Sequence, residues 1–116
     1  MNGGENDGML VEWAPFRALP GVPDAAILEG SDALQRDFLA HRRGFVRREL
    51  LRRPDGEWVD VVYWEDQASA DEAMKAAADS PVCAMYFHMM VPEDGQPGSG
   101  VVHLRRMRDY PPSTRS

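Results

Sequence analysis

The run Trp58-Val59-Asp60-Val61-Val62-Tyr63-Trp64 sets one carboxylate into an otherwise apolar strand. Alternation puts Val59, Val61 and Tyr63 on one face and Trp58, Asp60, Val62 and Trp64 on the other. An ionised carboxylate there can only accept hydrogen bonds; kept protonated by burial it can donate one. Either state suits proton chemistry toward a ligand hydroxyl. The same carboxylate can instead close an ion pair with Arg48 or Arg52 on the same face, the usual fate of a buried strand carboxylate.

The other reactive residue types are sparse. His41, His88 and His103 lack the HxH or HxxxH spacing of a metal site, so no preformed metal site is expected. His41 falls at a helix C-terminus, where the dipole favours a cation. His88 follows a Met- and Phe-rich stretch, and His103, alternating with Val101 and Arg105, faces either a pocket or solvent. Cys83 has no base nearby in sequence and reads as a small buried hydrophobe. Met74, Met85, Met89 and Met90, with Tyr86 and Phe87, make a soft patch: core, dimer seam or the wall of a pocket for a flat apolar ligand. The arginines from Arg42 to Arg53 form a possible phosphate strip, but acidic residues surround them in sequence, which favours ion-paired or solvated side chains.

The elements that must position these residues follow from period and punctuation. Leu10 to Leu19 reads as a strand, with Pro15 marking an edge or a bulge. Asp24 is a suitable N-cap for a helix whose stripe carries Ile27, Leu34, Phe38 and His41 and which stops at Gly44. Gly30 and Ser31 interrupt that stripe with a notch that permits close packing or leaves a hollow. Phe45 to Trp64 is a hairpin turning at Pro54-Asp55-Gly56; a three-residue loop sets Arg53 opposite Glu57, Leu50 opposite Asp60 and Val46 opposite Trp64. Ser69-x-x-Glu72 is a capping-box pattern opening a second helix with a narrow stripe of Ala70, Ala73, Met74 and Ala77. Ser80-Pro81 restarts a short helix, Pro92 to Gly100 is a loop, and Val101 to Met107 is a last strand.

The resulting order, βαββαβ, is the ferredoxin-like α+β plait with a four-stranded antiparallel sheet and helices on one face. A chain of 116 residues allows one domain, placed at 9–109, with tails at 1–8 and 110–116. The apolar strand Trp58–Trp64 gives neither face to water, and a chain this short has no second layer to cover the outer one. A homodimer through the sheet face follows. The net charge of −6 and pI near 4.9 argue against nucleic-acid and anionic-membrane partners. No apolar run reaches the ~20 residues of a membrane span. A lone cysteine and an N-terminus without the parts of a signal peptide favour the cytoplasm.

Gly44-Phe45 with Arg48-Glu49-Leu50-Leu51, the hairpin Asp55-Gly56-x-Trp58-Val59-Asp60, Trp64-Glu65-Asp66 and the alanine-rich helix leading to Ser80-Pro81 together resemble the antibiotic-biosynthesis-monooxygenase-like superfamily of dimeric α+β barrels. The resemblance implies a sheet-to-sheet dimer with a pocket between each sheet and its helices. It also implies cofactor-independent oxidation of aromatic polyketide-like phenols, through an Asn and a Trp four residues apart on the third strand, aided by a Tyr and an Arg on the second helix. Asp60 and Trp64 occupy the first two positions, with Asp for Asn. The expected Tyr position holds Ala70, and the helix has no Arg before Ser80. Asp60 and Trp64 are thus the candidate catalytic pair, and Ser31, Arg48, Met74, Met85, His88 and His103 the candidate ligand-binding residues, with a small aromatic ligand and no cofactor. A non-catalytic ligand-binding or structural module is the alternative. A haem-binding or haem-degrading branch is the second, although it would need a His and a Trp on the second helix that are absent here.

Overall fold

A computed structural model describes residues 8–92 and 100–113. The expected tail at 1–8, except Gly8, and most of the Pro92–Gly100 loop lie outside the described residues, as does the end of the C-terminal tail. Four strands, β1 (Leu10–Phe16), β2 (Phe45–Arg52), β3 (Trp58–Trp64) and β4 (Val102–Arg105), form one antiparallel sheet in the order β2-β3-β1-β4. Helices α1 (Asp24–Asp37), α2 (Gln67–Ala77) and α3 (Pro81–Phe87) cover one face. The fold is the ferredoxin-like α+β plait that the order of elements predicts.

The inner face of the sheet is built by alternation. Leu10 and Phe16 of β1 join Trp58, Val62 and Trp64 of β3 in one core with Ile27, Leu34, Ala70, Ala73, Cys83 and Tyr86 from the helices. Pro15 sits where β1 has a partner on one side only, because β4 pairs no further than Trp13. Its missing N–H therefore interrupts no ladder. The hairpin register agrees with the turn chemistry: Arg53 N–H donates to Glu57 O at 2.7 Å, and Leu50 stands opposite Asp60. At the far end the expectation fails. Phe45, not Val46, pairs with Trp64, because a bulge between Phe45 and Arg47 takes up Val46. The bulge leaves Val46 exposed and turns Phe45 edge-on to Trp64, ring centroids 5.9 Å apart.

Helix boundaries differ from expectation in three places. Asp24 is the first residue of α1 rather than its cap; Pro23 precedes it in extended conformation, and the Asp24 carboxylate accepts from Arg52 Nη1 at 2.9 Å. The helix stops at Asp37 instead of running to Gly44. A 3-10 turn over Leu39–His41 follows, which lets the neighbours Phe38 and Leu39 both face the core and leaves His41 exposed. Finally, α2 is capped by Asp66, whose side chain accepts from Ser69 N at 2.9 Å, so the Ser of the capping-box pattern is the residue capped and not the cap. Ser69 is itself buried against Gly44, whose φ of +81° and closeness to the Ser69 side chain leave no room for a Cβ. Ser80 caps α3 as expected, accepting from Cys83 N.

Candidate active site

A cavity of about 440 Å³ lies between the sheet and the helices. It exists because α2 offers Ala70, Ala73 and Ala77 where larger side chains would have reached the sheet. Its wall is mainly apolar, including Phe16, Leu34, Phe38, Val62 and Met74. Glu12, Arg48, Asp60, Trp64 and Tyr86 bring polar atoms to its interior, and Cys83 and His88 also border it. Asp60 and Trp64 therefore border one space, as their shared face requires.

Asp60 is not free in that space. Arg48 holds it with two hydrogen bonds, Nε to Oδ1 at 2.7 Å and Nη2 to Oδ2 at 2.9 Å, and the Tyr86 hydroxyl donates to Oδ2 at 2.9 Å. Arg48 Nη1 also donates to the Ser31 carbonyl at 3.0 Å. Both charged side chains are at least nine-tenths buried (7% and 9% exposed), so charge and hydrogen-bonding capacity must be satisfied within the group. Burial, and after it the Asp60 charge, push the Tyr86 hydroxyl far above its ordinary value and keep it a donor. Arg52, the other candidate partner, instead pairs with Asp24 and lies over the Trp58 ring at 4.2 Å.

A Tyr and an Arg border the cavity from outside α2: Tyr86 from α3 and Arg48 from β2. Tyr86 comes close because Gly30 opens the notch in α1; a methyl at Gly30 would stand 3.3 Å from Tyr86 Cδ1 and 2.5 Å from Met89 Cε. The notch serves close packing.

The remaining predicted residues separate. Met74 lines the cavity, and His88 lines it from the exposed end of α3. Ser31 meets Arg48 from the other side, in a smaller cleft of about 260 Å³ shared with Asp32, Gln35 and Arg47. Met85 is 70% exposed and is not part of the wall, since its position on α3 turns it away from the face that buries Cys83 and Tyr86. His103 is exposed, its Nδ1 3.2 Å from Gln67 Nε2, and is not part of the wall. Burial pushes the Cys83 thiol up, consistent with a packed hydrophobe. No group of three or more His, Cys, Asp or Glu able to hold a metal is present among the described residues. In the Arg42–Arg53 strip, Arg43, Arg47, Arg48, Arg52 and Arg53 each pair with a carboxylate, and Arg42 lies over the Phe38 ring.

Sequence reasoning missed Glu12. It alternates with Leu10, Ala14 and Phe16 on the inner face of β1, and its Oε1 accepts from Trp64 Nε1 at 3.0 Å. The signal was available: it is the one charged residue on the inward side of that strand. Burial raises its carboxyl above the ordinary range, opposed by the Trp64 hydrogen bond and by His103, its register partner on β4.

The fold is that of the antibiotic-biosynthesis-monooxygenase-like proteins, which solved structures place side by side with this chain. One from Bordetella bronchiseptica, assigned as an antibiotic biosynthesis monooxygenase, superposes with a TM-score of 0.70 at 20% identity over 86% of this chain and 98% of its own. SnoaB, a cofactor-independent oxygenase from Streptomyces nogalater, gives 0.67 at 21% over 90% and 99%. A further structure so assigned, from Caulobacter crescentus, gives 0.65 at 15% over 90% and 94%. No family model matches the sequence, and no curated protein matches it. Identities near 20% establish the shared fold; activity has to be argued from the site.

Proposed function

We propose that this chain is a homodimeric small-molecule-binding protein whose cavity takes a flat, mainly apolar compound of the aromatic polyketide type. The observation that supports it is the roughly 440 Å³ space held open under the alanine stripe of α2, with Trp64 and a few convergent polar groups on its wall. The dimer rests on the opposite face of the sheet, where Trp13, Leu51, Val102 and Leu104 are each about two-fifths exposed or more. Val59 and Val61 are already buried within one chain, so the apolar area a partner would cover belongs mainly to the strands on either side of β3.

Cofactor-independent oxygenation, the activity of SnoaB, is the reading of the same cavity as an enzyme. Both Asp60 oxygens are engaged, so in this reading Asp60 fixes Arg48 and Tyr86 and does not take a proton from the ligand. One experiment separates enzyme from binding module. The protein is titrated by calorimetry with 1-naphthol without oxygen, then incubated with it in air while absorbance of 1,4-naphthoquinone is followed, a product that requires one oxygen atom of O2 to enter the ring and the other to leave as water. Saturable binding is expected. Quinone formed faster than in buffer assigns an oxygenase, binding without it assigns a binding module, and no binding overturns both.

A further inference from the structure

We propose that Glu12 reads the ligand's polar group: its free carboxylate oxygen accepts a hydrogen bond from a hydroxyl on the bound molecule, so that among flat apolar compounds the cavity selects those bearing an O–H. The inference rests on the reading of the cavity as an aromatic-ligand site and adds to it the residue that confers selectivity.

The cavity contains two carboxylates, and only one has capacity to spare. Asp60 accepts from Arg48 at both oxygens and from Tyr86 as well. Glu12 accepts from Trp64 at Oε1 alone, and its Oε2 accepts no hydrogen bond among the described residues. Trp64 is 2% exposed and packs against Phe45, so the indole fixes the carboxylate from a rigid base. Of the other polar side chains on the wall, Arg48 donates to Asp60 and Ser31, Tyr86 donates to Asp60, the Cys83 thiol is only a weak acceptor, and His88 stands at the exposed end of α3. A ligand donor buried in this apolar space, away from His88 at the exposed end, therefore finds its accepting atom at Glu12, and a buried donor without an acceptor is costly.

The count of donors favours a hydroxyl over an ammonium. A hydroxyl brings one hydrogen, matching one free oxygen, whereas an ammonium brings three, and Asp60 is already taken. The charged groups facing Glu12 agree. Arg48 of β2 and Asp60 of β3 neutralise one another, Tyr86 of α3 is a neutral donor, the α2 wall residues are uncharged, and His88 borders the cavity at the exposed end of α3. His103 of β4 is the one ionisable partner in register. The raised carboxyl of Glu12 also makes it a better proton acceptor than an ordinary surface glutamate.

The test is calorimetric titration of the whole chain with 1-naphthol, 1-methylnaphthalene and 1-naphthylmethylamine, for the native protein and for Glu12→Gln. Gln keeps an oxygen for Trp64 and turns an amide N–H₂ toward the cavity. The expected result is that native protein prefers the naphthol to the methyl compound by roughly tenfold or more. Glu12→Gln should lose that preference through weaker naphthol binding alone, with methylnaphthalene affinity unchanged as the sign of an intact cavity. Equal native affinity for the two, or a preference that survives in Glu12→Gln, overturns the role of Glu12 while leaving the aromatic reading in place. Tighter binding of the amine overturns it in favour of a cation site. If no probe binds, the aromatic reading falls with it. Should Glu12→Gln lose both neutral probes, the native protein decides: its naphthol preference must fall between about pH 8 and about pH 4 as Glu12 protonates, and a constant preference overturns the proposal.

Discussion

Arg48 and Asp60 clasp each other diagonally across the β2–β3 hairpin, Arg48 opposite Val62 and Asp60 opposite Leu50, through parallel hydrogen bonds of 2.7 and 2.9 Å. The pair sits under α1 and α3, and the Ser31 carbonyl and Tyr86 hydroxyl tie it to both helices. It joins the sheet to the helical layer at the point where the cavity begins.

Breaking that pair from one side leaves a buried charge alone. Asp60→Ala should destabilise the protein by about 3–5 kcal/mol, measured by urea denaturation. The double variant Arg48→Met/Asp60→Leu removes both charges and should lose less than Asp60→Ala by itself. A double variant as unstable as the sum of the singles would mean that the clasp contributes by shape and not by charge.

Stability should also depend on pH through Glu12. A carboxyl raised on folding binds more protons native than unfolded, so stability falls as pH rises from the ordinary glutamate range through the raised value and is flat above it. Glu12→Gln removes this loss. Its melting temperature should exceed the native one near pH 7 and match it near pH 4. Equal melting temperatures at both pH values would show that the Trp64 and His103 interactions cancel the effect of burial.

Gly44 combines a left-handed φ of +81° with a Cβ position already filled by the Ser69 side chain. Gly44→Ala should cost about 2 kcal/mol or more, whereas Gly30→Ala should cost less, because the gain in helix propensity offsets moving the flexible end of Met89 and the tight 3.3 Å contact with Tyr86 Cδ1. Chemical denaturation of the two variants side by side checks the contrast.

The cavity depends on small residues. Ala73→Phe places a ring in the space under α2 and should abolish binding of 1-naphthol while circular dichroism stays native. Unaltered binding would place the ligand elsewhere, the smaller cleft beside Ser31 being the next position to test.

On the outer face of the sheet, Trp13→Glu puts a charge at the centre of the exposed apolar surface. Light scattering should report a dimer for the native chain and a monomer for the variant, with the fold retained. A native monomer at micromolar concentration would leave that face without its proposed partner.

The sequence by itself determined the order of elements, the two faces of β3, the Pro54-Asp55-Gly56 turn and the register that places Leu50 opposite Asp60. These are local quantities: period, turn chemistry and loop length act within a few residues, and the hairpin inherits them directly. It also narrowed Asp60 to an arginine partner on its own face, because strand neighbours follow from the same register. Only the tertiary structure decided which arginine, since Arg48 and Arg52 lie on that face alike and the difference is that Asp24 of α1 captures Arg52. The same holds for Tyr86 and Glu12. Tyr86 reaches Asp60 from 26 residues away, because α1 carries a glycine where α3 crosses it. Glu12 meets Trp64 from 52 residues away, because β1 lies between β3 and β4. Chain crossings of that kind leave no periodic trace, and the cavity they enclose is a property of the packed layers alone.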